Sequence, residues 1–177
     1  GFSWEFIPNN KLAFSYGQGF KAPTAEEMYN LSTIDSNGNF RSDIDPERSD
    51  NFDLTYTHSG ESLSLKATAF YTEVKDYLQF AGPTTDLVFG NFGEVETYGF
   101  EIEAVYEITD NLSARASFAT ANGEYKVGNG DASTGASNTY LGGNELITTN
   151  PDTAVLGLSY DSDDRSWGVS GYFTWTD

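Results

Sequence analysis

Leu12, Phe14 and Tyr16 alternate with Ala13, Ser15 and Gly17, and the same period of two recurs along most of the chain. Phe52, Leu54 and Tyr56 alternate with Asp53, Thr55 and Thr57; Leu63, Leu65, Ala67, Ala69 and Tyr71 alternate with Ser64, Lys66, Thr68, Phe70 and Thr72. Tyr98, Phe100, Ile102, Ala104 and Tyr106 oppose Gly99, Glu101, Glu103, Val105 and Glu107. The pattern continues through Leu112–Phe118, Ala154–Tyr160 and Trp167–Trp175. A period of two places successive side chains on opposite faces of a strand. About eight strands are predicted, beginning at Gly1, Lys11, Ser49, Ser62, Phe89, Leu112, Ile147 and Ser166.

Alternation alone suits a soluble sandwich as well as a membrane barrel, so other features must decide. Nearly every charge within these strands (Asp53, Lys66, Glu101, Glu103, Glu107 and Arg115) falls on the second face. An Arg or Lys turned to lipid near the midplane costs about 2–4 kcal/mol, so a barrel must keep its outer face free of them. The segments Ser62–Phe80, Phe89–Ile108 and Leu112–Lys126 are also long for globular strands, which average about 5–6 residues. Short connections at Pro8–Asn10, His58–Glu61, Thr109–Asn111 and Asp161–Arg165 alternate with longer ones near Gly19–Arg48, Ala81–Val88 and Val127–Leu146. Short periplasmic turns and long extracellular loops are what a barrel of the outer membrane requires. Tyr16, Phe20, Phe70, Tyr71, Tyr77, Phe80, Phe89, Phe92, Tyr98 and Tyr125 gather toward strand ends, where interfacial girdles sit. The fold class is therefore all-β: an antiparallel transmembrane β-barrel wall of about eight strands, facing outer-membrane lipid on one side.

Composition sharpens this reading. Aromatic residues make up 15% of the 177 residues, yet mean hydropathy is only −0.46, which fits strict sorting of side chains between two faces. No apolar run approaches the roughly 20 residues of a transmembrane helix. The chain lacks cysteine, which excludes disulfides and thiolate metal sites. A formal charge of −18 excludes a nucleic-acid partner, since phosphates demand basic patches. Both ends fall within strand-like sequence, Gly1-Phe2-Ser3-Trp4 and Phe173–Asp177, as in an arc cut from a larger barrel. An open arc has two unpaired edges, which lipid does not tolerate. The other reading is a small eight-stranded structural or adhesion barrel with no transport role.

Three ordered motifs carry a resemblance. The run from Leu12 to Tyr29 includes Tyr16-Gly17-Gln18-Gly19-Phe20-Lys21-Ala22-Pro23-Thr24; Asp45-Pro46-Glu47-Arg48-Ser49 follows; and Phe92-Gly93 leads to Tyr98-Gly99-Phe100-Glu101-Ile102-Glu103. Together they resemble the boxes of the TonB-dependent outer-membrane receptors, over residues 12–103 and in that family's order. The resemblance implies that residues 1–177 are part of the β-barrel domain of a Gram-negative outer-membrane receptor. The parent barrel would have about 22 strands around a plug domain that engages the TonB complex. It also implies active uptake of an iron-containing nutrient, haem or a ferric siderophore, carried as cargo, with no intrinsic cofactor and no enzyme activity. Phe20, Lys21, Ala22, Pro23, Pro46, Glu47, Gly99 and Glu101 are the motif residues, read as mainly structural. Pro23 ends strand pairing for want of an N–H, and Gly99 permits close backbone approach.

The wording around Phe20–Tyr29 is most similar to the haem and haemoglobin branch, in which a loop histidine commonly binds haem iron. Thr24–Arg41 contains no histidine. His58, the single histidine, falls at a predicted periplasmic turn and reads as a turn residue. Tyr29 is the candidate ligand contact, because tyrosinate can bind ferric iron. The Asp35–Asn39 and Gly128–Asp131 runs lack calcium-loop spacing. No catalytic constellation and no metal site is predicted, and Glu101 and Glu103 read as solvated wall facing the lumen.

Overall fold

The computed structural model describes residues 1–29, 44–81, 88–91, 93–126 and 151–177. An antiparallel sheet of eight strands dominates it, in the order β1 (Phe2–Ile7), β2 (Asn10–Lys21), β3 (Glu47–Ser59), β4 (Leu63–Lys75), β7 (Glu94–Thr109), β8 (Leu112–Lys126), β9 (Thr153–Asp161) and β10 (Gly168–Thr176). A two-stranded hairpin, β5 (Leu78–Ala81) with β6 (Val88–Asn91), interrupts the sequence between β4 and β7, and α1 (Ala25–Tyr29) follows β2. Strands adjacent in the sheet are adjacent in sequence apart from that hairpin, so the wall is an up-and-down meander with β1 and β10 at its edges.

Cross-strand register assembles the predicted faces, and shifts only beside two short turns, between Glu5 and Ile7 and between Glu107 and Thr109. Leu12 lies opposite Tyr56, Tyr56 opposite Ala67, Ala67 opposite Ile102, Ile102 opposite Phe118, and Phe118 opposite Ala154. The apolar face is therefore continuous from β1 to β10. Its side chains are open rather than packed: Phe100 is 46% exposed, Leu158 55% and Phe173 65%. A sandwich would bury these residues between two sheets. Lipid is the solvent that this face fits.

Aromatic side chains bound that belt above and below. Tyr16, Phe52, Tyr71 and Tyr98 form one cross-strand row toward the end of the long connections. Tyr106, Tyr160 and Trp167 mark the other boundary, beside the short turns, with the Tyr160 and Trp167 rings 5.6 Å apart. On β7, Tyr98 and Tyr106 are eight residues apart, about 27 Å along the strand at about 3.4 Å per residue. A tilt of about 35–45° reduces this to roughly 20 Å of height, close to the apolar band of an outer-membrane barrel.

The structure departs from the expected strands between β4 and β7, and the start expected at Ile147 lies outside the described residues, β9 being described from Thr153. Ser62–Phe80 and Phe89–Ile108 are not single strands, because the chain leaves the wall after Lys75 and rejoins it at Glu94. Asp76 at φ 57° and Gly93 at φ 136° turn it, and the Tyr77 N–H donates to the Gly93 carbonyl at 3.1 Å, pinching off the hairpin. Phe70 also leaves the expected girdle: its register partner is Gly99, on the polar face.

The short turns carry their own hydrogen bonds. In the β9–β10 turn, the Ser162 and Ser166 hydroxyls both donate to Asp164 Oδ1 at 2.7 Å, and the Ser166 N–H adds a third bond at 3.1 Å. These bonds, the Ser162 hydroxyl foremost, hold the Asp164 carboxyl down at about 2. The turn keeps its anionic cap throughout the ordinary aspartate range and loses it only as pH falls through about 2. A carboxyl-carbon NMR titration is expected to give Asp164 a midpoint near 2; a midpoint near 3.8 means that these bonds do not form in solution.

Candidate functional site

The motif residues meet at the end of the sheet from which the longer connections leave. Pro23 follows the end of β2, and Thr24 then opens α1 with a reciprocal cap. The Glu27 N–H donates to Thr24 Oγ1 at 3.2 Å, while the Thr24 N–H donates to Glu27 Oε2 at 2.7 Å. This Thr-x-x-Glu box satisfies two donors that a helix start otherwise leaves orphaned. The Thr24 N–H, with Thr24 Oγ1 and the Lys21 ammonium, lowers the Glu27 carboxyl below the usual glutamate range.

Lys21 ties this helix to the wall. Its Nζ lies 3.2 Å from Glu27 Oε1 and 3.5 Å from Glu47 Oε1, and Lys21 and Glu47 are register partners on β2 and β3. Glu47 is buried, and its Oε1 also accepts the N–H of Leu78 at 2.9 Å. One carboxylate thus joins α1, the wall and the β5–β6 hairpin. Asn91 makes a second joint: the Asp45 N–H donates to its Oδ1 at 2.8 Å, and its Nδ2 donates to the carbonyls of Asp45 and Asp76. Pro46 sits between the two joints, one residue before β3. Leu78 and Val95, buried apolar residues of this junction, supply its packing.

Replacing Glu47 separates these roles. Glu47→Ala leaves the buried Leu78 N–H without its acceptor, at a cost of about 1–3 kcal/mol to the local structure. Glu47→Gln keeps an acceptor and loses only the ion pair. Hydrogen exchange at the Leu78 amide is expected to accelerate strongly in the first variant and weakly in the second; equal rates in both would show that the ion pair alone holds the hairpin.

The polar face below this junction is a hydrogen-bonded wall. Ser15 Oγ donates to Asp53 at 2.8 Å, the Thr55 and Thr68 hydroxyls meet at 3.0 Å, and Thr72 donates to Asn51 at 3.0 Å. Arg115 approaches Glu103 at 3.8 Å, and Glu101, Lys66 and Thr68 line one shallow depression. Two glycines face aromatic partners directly across the ladder: Gly99 opposite Phe70, and Gly157 opposite Tyr172. In each pair the ring lies where a Cβ would project.

The expected site residues therefore divide by position. Lys21, Pro23, Pro46 and Glu47 are brought together at the junction, whereas Gly99 and Glu101 lie lower on the polar face. Phe20 points to the opposite, apolar side and is 74% exposed. Tyr29 closes α1, and its side chain lies outside the described residues. His58 is structural: its Nδ1 meets Asn10 Oδ1 at 3.0 Å, beside the Tyr56 hydroxyl on the same atom. Among the described residues, no group of three or more His, Cys, Asp or Glu side chains could hold a metal ion. The sequence reading missed Asn91, although it begins the Asn-x-Gly pattern that ends in Gly93.

A family model described as TonB dependent receptor-like, beta-barrel, matches residues 1–177. The chain belongs to that family. Members of the family are receptors of the Gram-negative outer membrane and are not enzymes. The chain is 23% identical to the hemoglobin-haptoglobin utilization protein B of Neisseria meningitidis serogroup C, covering 99% of this chain and 24% of that protein. It is 27% identical to the iron-regulated outer membrane virulence protein of Vibrio cholerae (strain O395), covering 96% of this chain and 27% of that one. Among solved structures, the copper transporter OprC superposes with a TM-score of 0.73 at 20% identity, over 98% of this chain and 24% of that chain. The chain thus spans about a quarter of the length of the relatives it matches.

Proposed function

We propose that this chain is an arc of the wall of a receptor that imports an iron-containing nutrient, haem or a ferric siderophore, across the outer membrane. The observation that carries the reading is the family match over the whole chain, joined to relatives named for haemoglobin–haptoglobin use and iron regulation. In this reading the edges β1 and β10 pair with further strands, in a barrel of about 22 around a plug that engages TonB. Two further observations favour this over a small structural barrel. The eight strands form an open sheet, and the relatives continue well beyond the matched quarter.

The junction at Glu47 has a place in that activity. Loops that capture a ligand must be mobile at their tips and anchored at their roots. Lys21, Glu47 and Asn91 anchor the roots of two connections, and α1 starts the first of them at Thr24. Tyr29, five residues beyond Thr24, is the residue we assign to ligand contact.

The test uses the complete receptor. Cells depleted of iron are supplied with haem or with ferric siderophore, and haem binding to the purified protein is read from the Soret band. Growth on one source and binding of the same compound are expected, and Tyr29→Phe is expected to weaken haem binding about tenfold if haem is the cargo. Failure to grow on or bind either compound overturns the iron reading, and an unchanged Soret band in Tyr29→Phe removes that residue from the site.

A further inference from the structure

Above the upper aromatic row, the lipid-facing side of the sheet becomes charged in two successive rows. The first contains Gln18, Asp50, Glu73, Glu96 and Glu124, and the second contains Phe20, Arg48, Lys75, Glu94 and Lys126. The acidic row is satisfied internally. Tyr16 donates to Asp50 at 2.6 Å, Tyr71 to Glu96 at 2.5 Å and Tyr98 to Glu124 at 3.0 Å, each from the girdle to the neighbouring strand. Gln18 also donates to Asp50 at 2.8 Å, Lys75 pairs with Glu73 at 3.1 Å, and Lys126 pairs with Glu96.

One cation is left over. The Arg48 side chain makes no ion pair or hydrogen bond among the described residues, and the residue's register partner across the ladder is Lys75. Like charges placed directly opposite on one face destabilise a sheet unless an anion lies between them. Arg48, Lys75, Phe20, Gln18 and Asp50 line a recess on this face, with a volume of about 600 Å³. Its level is four residues above the Tyr16–Phe52–Tyr71 row, about 14 Å along the strand and roughly 10 Å in height after tilt. A guanidinium on its long stem spans the remaining distance down to the headgroup layer.

We propose that Arg48 and Lys75 form a site for the phosphate group of a lipid in the outer leaflet, with Phe20 as its apolar flank. Two observations single out a lipid rather than a soluble anion. The recess opens on the same face as the apolar belt, and it carries the largely exposed ring of Phe20 beside its cations. Guanidinium offers two parallel donors to phosphate oxygens, and the ammonium adds a point charge from the next strand. The site holds the receptor at a fixed depth, on the side of the wall that its cargo never meets.

The experiment is retention of lipid by the complete receptor in native mass spectrometry, after equilibration with phosphatidylcholine vesicles doped with phosphatidic acid. Wild type is expected to retain phosphatidic acid in preference to phosphatidylcholine. The double variant Arg48→Gln/Lys75→Gln is expected to lose at least fivefold of that retention, while Lys66→Gln on the opposite face leaves it unchanged. Glu73→Gln releases Lys75 from its ion pair and is expected to raise retention, so the proposal stays testable should the double variant fold poorly. Equal retention by wild type and double variant overturns the site. Lower retention in Glu73→Gln does so too, and complete displacement of the lipid by millimolar inorganic phosphate shows that a lipid is not its occupant.

Discussion

Ile102→Arg is expected to destabilise the folded wall by about 2–4 kcal/mol, the cost of a cation facing lipid near the midplane. Ile102 lies midway along β7 between Tyr98 and Tyr106, in a row with Ala67 and Phe118. Its neighbours in that row offer no acceptor, so the guanidinium must either snorkel past an aromatic row or thin the bilayer. Ser117→Arg supplies the control. Ser117 is on the polar face, directly opposite Glu103, where a guanidinium meets water and a carboxylate. Its cost is expected to stay within about 0.5 kcal/mol, as for most solvated substitutions. Urea titration of the complete barrel refolded into phosphatidylcholine vesicles measures both. If Ser117→Arg costs more than Ile102→Arg, the two faces have been assigned the wrong way round.

That assignment was legible in the sequence, and the reason is physical. In a barrel wall each face meets a different solvent, so every second residue answers to lipid and the others to water. The alternation of Leu63–Tyr71 against Ser64–Thr72 is the whole of that constraint, and register then follows because a one-residue slip would invert both faces. Strand ends near short turns were also legible, since Asn9 and Arg165 adopt left-handed backbone where turn residues accumulate. The β5–β6 hairpin was not. Tyr77-Leu78-Gln79-Phe80 reads as a continuation of β4, and only the backbone reversal at Asp76 and Gly93 breaks it away. The junction was half legible: Lys21, Pro46 and Glu47 stand in the motifs, but their meeting with Leu78 depends on contacts 31 residues apart along the chain. The charge rows above the girdle passed unnoticed for a similar reason. Arg48 and Lys75 belong to strands whose register has to be known before they can be seen to face each other.

Gly99→Ala is expected to cost about 1–3 kcal/mol, the range for adding a methyl group where none fits. A Cβ there would collide with the Thr120 carbonyl oxygen and would lie 3.0 Å from the Ala121 Cα, both backbone atoms of β8, and 2.7 Å from the tip of the Phe70 ring. The ring can swing aside, but the ladder cannot part without losing hydrogen bonds between β7 and β8. Gly17→Ala, on the same face, would meet nothing within 4 Å and is expected to be neutral. Gly157→Ala lies between these limits. The close contacts of its Cβ are Tyr172 ring atoms, at 2.6 and 2.8 Å, and that ring is 61% exposed and tied only through side-chain hydrogen bonds with Ser159 and Ser170. Phe70→Ala should therefore rescue little of the Gly99→Ala cost, whereas Tyr172→Ala should rescue nearly all of the Gly157→Ala cost. Unfolding titrations of the two double-mutant cycles decide between ring and backbone. Full rescue of Gly99→Ala by Phe70→Ala would mean that the glycine serves only to seat the ring, and that β7 and β8 approach each other no more closely there than elsewhere in the wall.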